Sequence, residues 1–471
     1  MLKAMKAPAP RGLETSEESR PVALAAVHRL STADFLRTLF RALDEHRVCY
    51  CVLHSWETLP TELPSDLDLA VHPRDRNKLP LVFRALLDKG YRPVQCLNYA
   101  VKSHRFDFVW LESSAVKAIG IDITFRYSEG GLVLFSGEAL VKGHRRQGNF
   151  WRAAPEVEFS YLLARRALKG GQSGCEAGEL KRLVEELGRW EAERVASRLF
   201  GERWKKEAVE ACTSGRLAGL LGELKRQIWL AALSRDPSNP IRRFLGDGLR
   251  RIKRWFQPTG ILVVVLGPDG VGKSTLVAEL IENLRPVFRR YQTFHWRPQF
   301  IARQKQSGSA ATAPYAEPVR NTLDSVARLF VFFLDYWLGY LFLLRPFLAR
   351  TGLIVFDRYF HDIFIDPRRY RYGGPLWLAR LLAPLVPPPD LLFLVLDAEE
   401  DVILGRKQEI APDDLHRLRA AYAQLPGNFV SARVVRTDRG FQDSLLEATQ
   451  IITNYMLERF ERRHPAWLAL S

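Results

Sequence analysis

Cysteine is scarce in this chain of 471 residues. The five present are Cys49, Cys51, Cys96, Cys175 and Cys212. Their spacing matches no zinc-binding pattern, and an odd number in a long chain favours reduced thiols in the cytosol over a disulfide framework. No secretory signal peptide is apparent, and residues 1–30 mix Pro, Glu, Ser and Arg without a long apolar core, so we expect a disordered leader.

Repeats typical of nucleic-acid binding are also missing. The net charge is +16, with 69 Lys and Arg against 53 Asp and Glu, which suits anionic ligands or an anionic surface. The sequence has no arginine–glycine repeat and no interleaving of aromatic and basic residues, so nucleic acid is not the expected partner.

An uninterrupted run of apolar residues long enough for a membrane span is absent. The nearest candidate, Leu329–Leu344, is short for a bilayer. Asp335 lies in its middle, and Arg328 and Arg345 flank it. These charges predict a buried core helix in a soluble or peripheral cytoplasmic protein.

The most informative stretch present is Ile261–Leu284, ILVVVLGPDGVGKSTLVAELIENL, which predicts a strand, a glycine-rich turn and a helix. Within it G-x-x-x-x-G-K-[ST] matches the phosphate-binding loop, whose backbone N–H groups surround a polyphosphate. In that motif the lysine reaches the β- and γ-phosphates, and the serine holds Mg²⁺. The predicted ATP- or GTP-binding residues are Gly267, Pro268, Gly270, Val271, Gly272, Lys273, Ser274 and Thr275.

The chain after this loop alternates strands and helices, which predicts an α/β domain with a mostly parallel sheet and flanking helices. Asp357, Arg358 and Tyr359 follow an apolar strand at the sheet edge where ligands bind. Further strands are predicted over 390–398 and 431–438. Arg406 follows the first of these, where a guanidinium can stabilise a transferring phosphoryl group.

An acidic pattern marks the first part of the chain. In SDLDLAV, Asp66 and Asp68 alternate with leucines, which predicts a strand with both carboxylates on one face. Asp122 lies on a later apolar strand. These three carboxylates are the predicted ligands of one or two Mg²⁺ ions, with Asp107 as an alternative third ligand.

Residues 34–127 resemble the nucleotidyltransferase superfamily, in which a Gly-Ser turn precedes D-x-D and a later single carboxylate. The resemblance implies an α+β domain with a second, nucleotide-transferring site. Leu53-His54-Ser55-Trp56 stands where the family has Gly-Ser, so only Ser55 can keep the phosphate contact. The alternative is a retained fold in which D-x-D has no catalytic role.

Between the two halves the periodicity is helical, with a polar, proline-bearing linker at 234–240. The following helix sets six Lys and Arg around an apolar stripe, which is typical either of peripheral contact with an anionic membrane or of a solvated connector, the reading that we favour.

Residues 260–463 resemble thymidylate kinase and its relatives, through DGVGKST (269–275), Asp-Arg-Tyr (357–359), PDLLFLVLD (389–397) and the Arg406 region. The resemblance implies that Asp269 faces the acceptor, Arg358 clamps its phosphate and Arg406 covers the transferring phosphoryl. The predicted catalytic residues are therefore Lys273, Asp269, Asp357, Arg358 and Arg406.

Two departures from the thymidylate kinase pattern concern the acceptor. Tyr336 stands where the family has an arginine, and FHDIFIDPRRYRYGG (360–374) replaces the usual thymine-binding segment. In FHWRP (294–298), Arg297 is the one guanidinium that we expect to reach an acceptor.

The sequence thus predicts five regions. They are a disordered leader (1–30), a nucleotidyltransferase-like domain (31–150), a helical domain (151–233), a basic linker helix (234–259) and a thymidylate kinase-like domain (260–471).

The predicted function is ATP- and Mg²⁺-dependent phosphoryl transfer to a small-molecule acceptor, with a homodimer as a candidate assembly. Thymidylate is the default acceptor. The alternatives are a kinase of a sugar, sugar phosphate or lipid-linked carrier in surface-polysaccharide synthesis, and a non-catalytic nucleotide-binding regulator.

Overall fold

The computed structural model describes twelve segments of the chain: residues 30–63, 66–100, 103–112, 114–129, 132–170, 174–235, 239–288, 290–301, 318–387, 391–406, 411–425 and 432–468. The predicted leader, apart from Leu30, lies outside the described residues, as do Ser65, Lys407 and Glu409.

The first part of the chain forms a mixed sheet covered by helices. Its elements are α1 Thr32–Glu45, β1 Tyr50–Val52, β2 Leu67–Val71, α2 Leu79–Asp88, β3 Arg92–Ala100, β4 Ser103–Glu112, β5 Ala115–Thr124, β6 Arg126–Glu129, β7 Leu132–Ser136, α3 Gly137–Val141, β8 Arg145–Gln147 and β9 Phe150–Arg152.

Seven strands join in the order β3-β4-β5-β2-β1-β9-β8, and β6 pairs with β7 separately. The β3-β4-β5 strands run antiparallel, whereas β2 and β5 are parallel with Asp68 opposite Asp122. The strand β2 begins at Leu67, two residues later than predicted, so Asp66 precedes it.

Five helices follow: α4 Pro155–Lys169, α5 Gly174–Leu187, α6 Arg189–Phe200, α7 Lys205–Ser214 and α8 Leu217–Arg235. Their apolar sides pack together and against Cys51, Leu53 and Ala70 of the mixed sheet. The linker helix α9, Asn239–Phe256, then leads to the second half of the chain.

The second half contains β10 Ile261–Leu266, α10 Lys273–Leu284, β11 Arg290–His295, α11 Thr322–Gly339, α12 Arg345–Leu348, β12 Gly352–Asp357, α13 Asp362–Ile365, α14 Leu376–Leu382, β13 Leu391–Asp397, α15 Glu400–Arg406, α16 Pro412–Ala423, β14 Ala432–Arg436 and α17 Phe441–Arg463. A π-helical turn, Tyr340–Leu344, joins α11 to α12.

The five strands of this half are parallel in the order β11-β12-β10-β13-β14. Because β10 is central and bonded on both sides, its residues are wholly buried, as the apolar run ILVVVL predicts. Helices cover both faces. The predicted parallel α/β architecture is confirmed.

The two halves share apolar contacts. Val94, Val109 and Val116, on β3 to β5, belong to the same buried cluster as α10 and α17. The Val116 backbone N–H donates to Asn283 Oδ1 at 2.9 Å. Beyond α17, Trp467 packs among the aromatic rings of the first half, 4.8 Å from Phe106 between ring centroids.

The helix α11 is buried on one side only. Leu329, Asp335 and Tyr336 are buried, whereas Phe330 and Leu334 are exposed, so the prediction of a buried core helix is wrong for its outer side. Within the described residues, Thr322–Leu348 is the one helical stretch that meets the length and hydropathy of a membrane span, criteria that core helices of soluble proteins also meet.

Candidate active site

The phosphate-binding loop connects the carboxyl end of β10 to the first residue of α10. Gly267, Gly270 and Gly272 all have positive φ, at 146°, 86° and 101°. A Cβ on Gly267 would lie 2.7 Å from the Leu396 carbonyl oxygen, so no other residue fits there. The glycines therefore let the loop turn tightly above the N-terminus of α10, where backbone N–H groups favour an anion.

Lys273 is buried beneath this loop. Its ammonium donates to the carbonyl oxygens of Gly267 at 2.9 Å and Pro268 at 2.6 Å, and it lies 3.7 Å from Asp269 Oδ1. Loop carbonyls thus hold the charge at the place where the motif requires it to meet phosphate oxygens.

Asp357 ends β12 beside the loop. Its Oδ1 is buried and has no hydrogen-bond partner among the described residues. Burial acts to raise the pKa of Asp357, but His295, Lys273 and Arg358 outweigh it and hold the pKa below its usual value. Ser274, in the first turn of α10, is exposed. A carboxylate oxygen kept ionised and without a partner fits a cation held jointly by protein and nucleotide phosphates.

Asp269 is surrounded by cations. Arg358 Nη2 donates to its Oδ1, Arg369 Nη1 donates to its Oδ2, and Lys273 approaches the same carboxylate. Arg358 and Arg369 therefore converge beside the loop on a single anionic group. A phosphate offers oxygens to guanidinium groups in the same way.

The side chain of Arg358 is held in place by a buried carboxylate, Asp362. Arg358 is 2% exposed, and its Nη1 donates to Asp362 Oδ2 at 2.8 Å. Asp362 also accepts from the hydroxyls of Tyr370, at 3.2 Å, and Tyr422, at 3.1 Å. Burial acts to lower the pKa of Arg358, but Asp362 more than offsets this and raises it above its usual value. The buried network holds one guanidinium orientation.

The residues that depart from the thymidylate kinase pattern have structural partners. The Tyr336 hydroxyl donates to the Trp296 carbonyl oxygen. Asp335 accepts from Arg297 Nη1 at 3.3 Å and from the Gln299 and Ile301 N–H groups at 3.0 and 2.7 Å. Asp335 thus interrupts the apolar run because it ties residues 297–301 to α11, and Arg297 is engaged there.

Arg406 lies on another side of the loop. Its Nη2 donates to the Thr437 carbonyl oxygen at 2.9 Å, and its Nη1 lies 3.4 Å from the Val271 carbonyl oxygen. Neither contact brings it to Asp269 or Asp357. Its predicted position over the transferring phosphoryl therefore stays a prediction.

In the first half, the predicted metal ligands are paired with cationic side chains. Arg105 binds Asp66 through both terminal nitrogens, the second at 2.9 Å. Asp68 contacts His54 Nε2 at 2.6 Å and Arg165 Nη1 at 2.9 Å. Burial acts to raise the pKa of Asp68, but His54 and Arg165 lower it to about 2.

Asp122 lies opposite Asp68 but apart from these pairs. Burial, together with the charge of Asp68, raises the pKa of Asp122 to about 7, against the opposing charge of Arg105. The Ser55 hydroxyl, expected at a phosphate, donates to Glu179 Oε1 at 2.8 Å. Within the described residues no group of three or more His, Cys, Asp or Glu side chains is placed to hold a metal ion. The first half, as arranged here, does not fit Mg²⁺.

Comparison with known proteins identifies relatives of part of the chain. Thymidylate kinase of Xanthomonas campestris pv. campestris is 30% identical over 184 residues, which cover 37% of this chain and 76% of that enzyme. This chain belongs to the thymidylate kinase family. The relatives support a kinase of the nucleoside monophosphate type.

Other members of the thymidylate kinase family match over similar spans. A probable thymidylate kinase of Methanosarcina mazei is 29% identical over 162 residues, covering 31% of this chain and 69% of that protein. The thymidylate kinase of Lactobacillus helveticus is 21% identical over 216 residues, covering 44% of this chain and 98% of that enzyme. No protein-family model matches the chain.

Solved thymidylate kinase structures also match part of this family member. The match to the enzyme of Candida albicans covers 42% of this chain and 93% of that enzyme, with 16% sequence identity and a TM-score of 0.31. The match to the enzyme of Ehrlichia chaffeensis covers 41% of this chain and 98% of that enzyme, with 15% sequence identity and a TM-score of 0.29. These scores carry no argument about function.

Sequence reasoning missed the place of Arg369. It treated the arginines of 360–374 as a sign of a different acceptor, without assigning one to the phosphate clamp. The available signal was the Arg-Arg pair six and seven residues after Asp362. Because Asp269 and Arg369 are 100 residues apart, only the tertiary structure reveals their contact.

Proposed function

We propose that this protein is an ATP-dependent kinase that phosphorylates a small acceptor already bearing a phosphate. The observation that carries the proposal is the convergence of Arg358 and Arg369 on Asp269, beside Lys273 and the glycine-rich loop. Two guanidinium groups on one anion suit a monophosphate.

In this proposal the acceptor phosphate takes the guanidinium contacts that Asp269 now makes. Asp269 then faces the acceptor's remaining polar groups. The acceptor oxygen needs little help from a base because phosphate is already anionic. Lys273 exchanges the carbonyls of Gly267 and Pro268 for the β- and γ-phosphate oxygens of ATP. Arg358 and Lys273 thereby hold the two anions near one another, and positioning supplies much of the rate.

We further propose that Mg²⁺ is held by Ser274 and Asp357 together with the ATP phosphates. The partnerless, buried Asp357 Oδ1 supports this assignment. When bound, the ion neutralises phosphate charge as it develops in transfer. His295, whose Nδ1 lies 3.6 Å from Asp357 Oδ2, helps keep the carboxylate ionised.

We propose an acceptor other than thymidylate. A small cleft lies beside Tyr370 and is lined by Phe332 together with Arg320 and Arg328. Tyr336, which replaces the family's arginine, is wholly buried against Tyr359 and Phe360 and offers no charge. Cationic and aromatic side chains together suit a polar planar or acidic group.

The test is a comparison of kcat/KM for thymidylate, other nucleoside monophosphates, sugar phosphates, nucleosides and sugars, with radiolabelled ATP. We expect turnover to require a phosphate on the acceptor and thymidylate to be a slow substrate. A thymidylate value of about 10⁵ M⁻¹s⁻¹ would establish it as the natural acceptor. Faster transfer to an uncharged sugar would favour the sugar kinase. ATP binding without transfer to any acceptor would favour the regulator.

For the first half we propose a divergent nucleotidyltransferase-like fold that has lost metal-dependent nucleotidyl transfer. We also propose that the chain is divided into the five regions predicted from the sequence. Support comes from the parallel pairing of Asp68 with Asp122 and from the pairing of Asp66 with Arg105. Equilibrium dialysis of the full chain with Mn²⁺, comparing the parent with Asp66→Asn, tests this. We expect no stoichiometric site lost in the variant.

For assembly we propose a cytoplasmic homodimer formed through α11. Its exposed Phe330, Val331, Leu334 and Trp337 carry no charge, so a two-fold axis there places no like charges opposite each other. Analytical ultracentrifugation of the parent and Leu334→Arg tests this, with a monomeric variant expected.

A further inference from the structure

The linker helix α9 exposes its apolar side chains to solvent, whereas an amphipathic helix usually buries them. Its apolar residues Leu249, Ile252 and Phe256 are 68%, 55% and 72% exposed, and Trp255 is 36% exposed. We call these four residues the linker stripe. An amphipathic helix of a soluble protein ordinarily turns such residues to the core. Here another environment must cover them.

The helical geometry separates the two sides cleanly. At about 100° per residue, the linker stripe occupies an arc of about 120°, and Arg250 and Arg254 fall on the opposite side. Arg254 Nη2 donates to the Asn98 carbonyl oxygen at 3.0 Å. With Arg250 it lines a cleft against β3, and the exposed Lys253 lies at the edge of the same cleft. The basic side therefore packs on the protein, and the apolar side faces outward.

Both halves of the protein hold the helix in this orientation. Arg254 attaches it to β3, and at its end the Phe256 carbonyl oxygen accepts from Arg345 Nη2 of α12 at 2.9 Å. The linker stripe is thus a fixed surface and not one side of a freely turning connector.

Charge decides between occupants of this surface. Arg251 and Lys253 are exposed and border the linker stripe on its two sides. The helix carries six Lys and Arg against one acid, Asp247. A second copy of the chain would place these cations next to identical cations, which repel one another. An anionic bilayer instead presents phosphates around an apolar interior.

We propose that α9 docks the protein on an anionic membrane surface. The linker stripe enters the boundary between headgroups and acyl chains, and Arg251 and Lys253 contact lipid phosphates. Trp and Phe at the stripe's end are residues that favour this boundary. The sequence extends the same period to Ile241, Phe244 and Leu245, whose side chains lie outside the described residues.

The test is flotation of the full chain with vesicles of phosphatidylcholine alone or mixed with phosphatidylglycerol. We expect binding to the mixed vesicles that weakens at high salt. Leu249→Ser, Ile252→Ser and Phe256→Ser together should lower the partition coefficient at least about tenfold. Arg251→Gln with Lys253→Gln should remove about tenfold of the preference for anionic vesicles.

A matched control is Trp190→Ser with Leu323→Ser, which removes exposed apolar side chains elsewhere and should leave flotation unchanged. Circular dichroism and kinase turnover report the fold of every variant. Failure of the parent to bind mixed vesicles, or equal binding by the triple serine variant, overturns the proposal. So does a triple variant that turns from dimer to monomer while the parent ignores vesicles.

Discussion

The two halves of this protein contain the same kinds of side chain in two different states. In the first half, Asp66 and Asp68 are each neutralised by an arginine, and the Ser55 hydroxyl is bound by Glu179. Asp122 Oδ1 in the first half and Asp357 Oδ1 in the second are both buried without a partner among the described residues. The pKa of Asp122 is raised, whereas that of Asp357 is lowered, next to a loop of backbone N–H groups.

The difference teaches that carboxylates and arginines alone do not define a nucleotide site. What distinguishes the second half is backbone geometry, since three glycines with positive φ shape the loop above α10. In the first half, the sequence has His54 at the position where the resemblance to nucleotidyltransferases predicts a glycine. The predictions below test this contrast, from the largest expected effect to the smallest.

The strongest test of the loop is Lys273→Ala. The ammonium contacts loop carbonyls and Asp269, and its loss should lower kcat by about 10³-fold while the fold stays intact. Steady-state kinetics with the best acceptor measures this, and circular dichroism checks the fold. Turnover equal to the parent's would remove the loop from the active site.

Arg369→Ala tests the acceptor clamp. Loss of one charge-assisted hydrogen bond to phosphate should raise the acceptor KM by about 30-fold, with a smaller effect on the KM for ATP. Arg368→Ala is the matched control, because that neighbouring arginine is exposed and pairs only loosely with Asp414, at 3.5 Å. Equal effects of the two variants would contradict the clamp.

Asp122→Asn tests the charge state of the first half. The raised pKa of about 7 means that the folded protein binds a proton more tightly than the unfolded chain does. Stability is therefore lost as pH rises from about 4 to about 7, and the variant should gain about 4 kcal/mol at pH 8 but little at pH 4. Urea unfolding at both pH values measures the difference. A gain that does not depend on pH would point to a packing effect.

Asp66→Asn with Asp68→Asn should leave kinase turnover within about threefold, a change of less than about 1 kcal/mol in the barrier. The reason is that Asp68 lies on β2 and Asp66 directly precedes it, in the half of the chain that does not contain the loop. Turnover must be normalised to folded protein, because the double change breaks the contacts with His54 and two arginines. A collapse of turnover in folded protein would mean that the halves share one active site.

Local patterns predicted the parts of this structure that local forces determine. The apolar run of β10, the glycine turn and the periodicity of α10 are encoded within 24 consecutive residues, Ile261–Leu284. Asp357 was located because strands of a parallel sheet end at one edge. These features do not depend on distant contacts.

The parts that escaped prediction depend on long-range contacts. The clamp joins Asp269 to Arg369, and the buried network joins Asp362 to Tyr422. The D-x-D pattern does not disclose that Arg105 and Arg165 neutralise its carboxylates, because both arginines come from later elements. The outward side of α11 also escaped, since its periodicity is nearly apolar all round.

The packing of Trp467 into the first half has a consequence for biosynthesis. Phe83 and Phe106 lie 5.8 and 4.8 Å from its ring, between centroids. Translation from Phe106 to Trp467 spans 467 − 106 = 361 residues, which takes roughly 20 to 70 seconds at ordinary elongation rates. During that interval the nascent first half presents an uncovered aromatic recess to the cell, so its exposure to chaperones and proteases ends only when the second half has been made.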